Sequence, residues 1–91
     1  MTFEWDENKN FDNIDKHKVS FEMAQEAFFD EKRIILKDNK HSRDEERFYC
    51  IGKDEDGILT VRFTMRDEKI RIIGAGYWRE GRYRYEEENN L

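Results

Sequence analysis

The chain has 91 residues, 43% of them charged, 36% hydrophobic and 14% aromatic, with a formal net charge of −5. That length points to one domain, taken as 1–91, without room for a second core, and the aromatic load supplies buriable area that a disordered chain of similar charge lacks. The sequence has no apolar run that could span a membrane, no signal-peptide pattern, a lone Cys50 and two histidines; this excludes an internal disulfide and a zinc site of usual spacing, and fits a cytoplasmic protein without metal or cofactor.

Phe3 to Trp5 reads as a short strand with two aromatics on one side. Asp6 is placed to cap a helix whose first turn carries Glu7, an anion where the helix dipole favours one. Phe11 and Ile14, three apart, share a face of that helix. Lys16, His17 and Lys18 close it; cations there complement the dipole, which is the plainer account of all three. Ser20 caps a second helix, in which Phe21, Ala24, Ala27 and Phe28 form a buried stripe and Asp30-Glu31 the end. Arg33–Leu36 reads as a strand and Asp38–Glu46 as a polar loop.

Two hairpins follow. Strands are expected over Arg47–Lys53, Ile58–Arg66 and Lys69–Tyr77, with turns at Asp54-Glu55-Asp56-Gly57 and Asp67-Glu68. Gly57 is expected to supply a positive φ, whereas the second turn has no glycine to fix its type. From Ile58 the strand alternates: Leu59, Val61, Phe63 and Met65 on one face, Thr60, Arg62, Thr64 and Arg66 on the other. Pairing Met65 with Ile70 and Lys53 with Ile58 sets Phe63 beside Ile72 and Phe48, and Cys50 beside Val61. Both hairpins then place apolar residues on one face, which a slip of one residue would undo.

The same register lines up Arg47, Thr64 and Arg71 on the opposite face, then Tyr49, Arg62 and Ile73, with Arg66 beside Lys69. Charge is distributed accordingly: residues 1–61 carry 10 basic and 16 acidic side chains, residues 62–84 carry 7 basic and 3 acidic, and residues 85–91 add three acids. Arginine forks suit phosphate, and arginine with tyrosine stacks on unpaired bases. The alternative is an ordinary solvated sheet face. Ile51, Ile58 and Ile73 share it, so part must be covered, and the C-terminal segment is a candidate to do so. There Trp78 and Tyr85, seven apart, suit a short helix that Gly81 weakens.

The sequence resembles the BrnT family of bacterial type II toxins over nearly its whole length. The most specific part is Phe3-Glu4-Trp5-Asp6-Glu7-Asn8-Lys9, Asn13, Lys16-His17 and Val19-Ser20-Phe21. Phe29-Asp30, Asp38 with His41-Ser42, Glu45-Glu46-Arg47, Ile51-Gly52, Thr64 with Arg66, Arg71-Ile72-Ile73, Arg82 and Tyr85-Glu86 also match. Lys18 stands where the family pattern has Gly, and Gly74 and Gly76 stand where it has Ser and Arg.

The resemblance implies an α+β, RelE-like fold, with an N-terminal strand and two helices packed on a twisted antiparallel sheet. It implies a metal-independent ribonuclease that inhibits translation and is neutralised by a BrnA-type ribbon-helix-helix antitoxin encoded beside it, DNA being reached only through that antitoxin. Cleavage of RNA through its 2′-hydroxyl needs a proton acceptor, a proton donor and cations at phosphorus. His17, Glu46 and Tyr85 are candidates for proton transfer and Arg66 and Arg71 for charge stabilisation. Lys16, Arg47, Tyr49, Arg62 and Arg79 are candidates for holding RNA. The alternative is a catalytically inactive relative kept as a protein-interaction or RNA-binding module.

Overall fold

A computed structural model describes residues 1–91. Strand β1 is only Phe3–Glu4, yet Phe3 and Trp5 both pack against the core. Asp6 then turns the chain: its carboxylate accepts the N–H of Asn8 at 2.8 Å and of Lys9 at 3.3 Å and starts helix α1, Glu7–His17. Lys18 ends α1 in the left-handed region, φ 61°, donating its N–H to the Ile14 carbonyl. It therefore occupies the conformation that glycine adopts most cheaply.

Phe11 and Ile14 do share a face of α1, but they lie outward, 60% and 39% exposed. The residue turned inward is Asn13. Its amide donates to the carbonyls of Val19 (2.8 Å) and Ala75 (2.9 Å) and accepts the N–H of Ala75 (3.1 Å). A two-residue β1 leaves most of the adjoining strand edge unpaired, and Asn13 satisfies part of that edge as a strand peptide would.

Ser20 caps α2, Phe21–Ala24, which tightens at once into a 3₁₀ segment, Gln25–Phe29. The expected stripe is buried: Phe21, Ala24, Ala27 and Phe28. Asp30, just beyond, accepts the backbone N–H groups of Lys32 and Lys53 and so ties this segment to the sheet.

Strands β2 (Ile34–Lys37), β3 (Arg47–Lys53), β4 (Ile58–Arg66) and β5 (Lys69–Gly76) complete a five-stranded sheet of order β1-β5-β4-β3-β2. The sheet is mixed and not wholly antiparallel as expected, because β1 runs parallel to β5. Strand β5 ends at Gly76, one residue short of the expected Tyr77. The inferred register holds in both hairpins: Lys53 pairs with Ile58, Phe48 with Phe63, Cys50 with Val61, Met65 with Ile70 and Phe63 with Ile72. Arg47, Thr64 and Arg71 form the predicted row.

The next row differs. A bulge between Arg62 and Phe63 brings Gly74, not Ile73, opposite Arg62. Regular alternation cannot foresee an extra residue on one strand. Gly57 takes the expected positive φ, 159°, and the first turn is also closed by Asp54, whose carboxylate accepts the N–H groups of Asp56 and Gly57. The second turn places both Asp67 (φ 52°) and Glu68 (φ 65°) in left-handed conformations, the pattern of a type I′ turn made without glycine.

One sheet face carries the core. Phe28 meets Phe3 and Phe63 edge-on, and Phe48 stacks on Phe63 with ring centroids 5.4 Å apart. The other face is partly covered by α3, Arg79–Glu88, under which Ile51 is buried. Gly81 is what permits this contact: a Cβ there would lie 1.8 Å from Thr60 Oγ1. Its intrinsic cost to the helix is thus outweighed by close packing on β4.

Candidate active site

The loop after β2 is more ordered than its polar sequence suggests. Asp38, 5% exposed, caps a 3₁₀ turn over Asn39–His41. One carboxylate oxygen accepts the His41 N–H and the other lies 2.8 Å from His41 Nδ1. Ser42 Oγ donates to the Asp38 carbonyl and accepts the Arg47 N–H, fixing the turn to the start of β3. The imidazole is therefore held at one nitrogen by a buried carboxylate, while its side chain remains 45% exposed.

Burial alone would raise the Asp38 carboxyl, but the hydrogen bond and charge of His41, with the Tyr49 hydroxyl, outweigh it and hold the group below its ordinary value. Tyr49 moves the other way. Burial and then the Asp38 carboxylate push its phenol up, so it stays protonated and available as a donor.

Three recesses run along the side of the sheet that bears α3, joined by the residues they share. A cleft of about 310 Å³ lies between the sheet and α3, bordered by His41, Tyr49, Arg62 and Trp78. A wholly polar basin of about 550 Å³ adjoins it across His41 and holds Lys40, Arg43, Arg47 and Arg66 around Glu45. A smaller recess of about 200 Å³ shares Arg62 and Trp78 with the cleft and adds Lys16 and His17. The result is a groove with cations at both ends, aromatic rings along its middle, and a histidine on either side of Arg62.

The structure thus gathers Lys16, His17, Arg47, Tyr49, Arg62 and Arg66 on one groove. His17 meets Trp78 edge-on at 5.2 Å, so α1 does reach round to the arginine face. In the free protein Glu45 neutralises Arg66 (3.1 Å) and lies 4.0 Å from Arg47. Other candidates stand apart. Arg71 pairs with Glu4 at 3.3 Å and borders none of the three recesses. Glu46 turns outward to Lys37, 3.6 Å away, and Arg79 is exposed on the first turn of α3 without lining the groove.

Tyr85 is buried, with its hydroxyl donated to Asp30. Asp30 also holds Lys53, at the opposite end of β3 from Arg47 and about 20 Å along the strand. At Gly76, where the family pattern has Arg, the Trp78 ring fills the space: a Cβ would lie 2.7 Å from it.

Sequence reasoning gave Asp38 and His41 no part in the site and placed Trp78 with Tyr85 on the C-terminal helix, whereas Trp78 only precedes α3 and lines the recesses. The usable signal was the Asp-x-x-His spacing, which a capped 3₁₀ turn converts into a carboxylate–imidazole contact.

A family model described as the ribonuclease toxin BrnT of type II toxin–antitoxin systems matches residues 5–81. No curated protein matches the chain significantly.

Proposed function

The chain belongs to the BrnT family of ribonuclease toxins of type II toxin–antitoxin systems, and on that premise we propose that the groove binds RNA and that His41 and His17 cleave it. The observation that carries this reading is His41, held by buried Asp38 between two arginine-bearing recesses. In its neutral form, with Nδ1–H directed to Asp38, the imidazole would present Nε2 as an acceptor, the state a general base requires.

In this mechanism His41 takes the proton of a 2′-hydroxyl. The 2′-oxygen bonds to the adjacent phosphorus while the bond to the 5′-oxygen breaks. His17, across Arg62, gives its proton to the departing 5′-oxygen. Charge gathering on the phosphoryl oxygens is met by Arg62 at the centre, and the flanking phosphates by Arg47 and Arg66. The products are a 2′,3′-cyclic phosphate and a free 5′-hydroxyl. Glu45 must release its arginines before RNA can occupy the basin, so the free protein trades one set of anions for another. Tyr49 and Trp78 offer rings for the bases.

Family membership supports an antitoxin partner. In this reading it is a BrnA-type ribbon-helix-helix protein that covers the groove and alone contacts DNA, and the free toxin acts in the cytoplasm by cleaving messenger RNA and so stopping translation. Inducible expression in a bacterial host lacking the antitoxin tests the proposal. Growth arrest with cleaved transcripts is expected, abolished by His41→Ala and by Arg62→Ala. Unimpaired growth at high soluble expression contradicts it.

A further inference from the structure

The cleft under α3 is lined by two charged groups that proton transfer and phosphate binding leave unused, Glu80 and Arg84. Glu80, exposed in the first turn of α3, lines the cleft together with Tyr49 and Arg62. Its charge reaches the Tyr49 ring, where it adds to the forces that raise the phenol. Glu80 takes part in none of the ion pairs of the structure, although Arg84 lies one turn further along the same helix. A carboxylate on the wall of an RNA groove repels phosphate. In the first turn it complements the α3 dipole, and with no ion pair its oxygens stay free to accept hydrogen bonds from a ligand in the cleft.

The surroundings say what that is. Leu36 and Ile51 add apolar surface to the lining of the cleft, and Tyr49 and Trp78 add aromatic rings. A flat, aromatic, uncharged ring fits such a space, and a nucleobase splayed from single-stranded RNA is that ring. Among the bases, two adjacent donors on one edge identify guanine, whose N1–H and N2–H₂ match the two oxygens of a carboxylate. Adenine offers a donor beside an acceptor on the same edge and leaves one carboxylate oxygen facing a lone pair.

We infer that the cleft is a guanine subsite in which Glu80 reads the Watson–Crick edge, giving the ribonuclease a preference for cutting beside an unpaired guanine. This rests on the groove being an RNA site, as proposed above. A discriminating bidentate contact of this kind is worth about tenfold or more in affinity.

The test uses the full chain and short oligo-dT carrying one central dG, dA or dC, which cannot be cleaved because the 2′-hydroxyl is missing. The dG oligonucleotide should bind about tenfold tighter than the dA one. Glu80→Gln, which presents one acceptor and one donor, should lose that preference and favour dA. Equal binding of all the oligonucleotides, or a dG preference that survives in Glu80→Gln, overturns the inference. RNA cleaved without base preference overturns it while leaving the ribonuclease reading intact. A dG preference in a protein that cleaves no RNA sustains the subsite and removes the ribonuclease reading.

Discussion

Asp38 and His41 are three residues apart and in contact, Oδ2 to Nδ1 at 2.8 Å, with the carboxylate buried and the imidazole at the junction of two recesses. The buried partner fixes the ring, and the exposed edge faces the groove. Lys16, His17, Arg62 and Trp78 extend the same groove along α1. On the proposed reading, catalysis and scaffold divide differently among the candidates than the sequence suggests. Tyr85 is the clearest case.

Tyr85→Phe removes the hydroxyl that donates to Asp30 and leaves that carboxylate with its two backbone donors. The phenol is raised to about 12 by burial and by Asp30, so it is a fixed donor across the neutral range. The variant should lose about 1–2 kcal/mol of stability in urea denaturation. RNA cleavage by the folded protein should be unchanged. A large loss of cleavage with stability intact would return Tyr85 to the chemistry.

Acid should destabilise the fold in a defined direction. Asp30 and Asp38 both have folded-state values below the ordinary carboxylate range. At Asp30, burial is outweighed by the Tyr85 hydroxyl and the N–H groups of Lys32 and Lys53; at Asp38, it is outweighed by His41 and Tyr49. As pH falls, the unfolded chain takes up these protons first, so the stability each contributes is present above about pH 4 and is lost below it, through the folded values. Urea midpoints measured from about pH 6 down to about pH 3 should fall, and Asp38→Asn should flatten that fall. An unchanged slope in the variant would show that Asp38 is not among the groups responsible.

Lys18 holds a left-handed conformation at the end of α1, its Nζ reaching back to the Asp15 carbonyl at 2.9 Å. A side chain with a Cβ pays steric strain there that glycine avoids. Lys18→Gly should raise stability by about 1 kcal/mol, seen as a higher Tm, without altering α1. A lower Tm would mean that the Lys18–Asp15 contact outweighs the strain.

Much of the fold was legible because its apolar pattern is periodic. Strict alternation from Ile58 to Arg66, with two short turns, leaves one register that puts Phe48, Val61, Phe63 and Ile72 together, and the sheet adopts it. What was missed depends on single, non-repeating contacts. The bulge at Arg62 moves one row by one residue, and no local pattern announces it. Asn13 reads as a polar helix residue until the unpaired edge of β5 gives its amide a use. Tyr85 matches the family tail, yet its partner Asp30 is 55 residues away in sequence. Asp38 and His41 lie in a stretch whose composition marks only a loop, and the capped turn that joins them emerges from hydrogen bonds to the start of β3.

The central claim is that His41, oriented by Asp38, removes the proton of the 2′-hydroxyl. The most direct measurement is the single-turnover cleavage of a short RNA by the purified chain, comparing wild type, His41→Ala and Asp38→Asn, with product ends identified by mass. The wild type should yield 2′,3′-cyclic phosphate ends. His41→Ala should slow cleavage by about 10²–10⁴-fold, and Asp38→Asn by a smaller factor at unchanged RNA affinity. Cleavage by His41→Ala at the wild-type rate, or products without a cyclic phosphate, would contradict it.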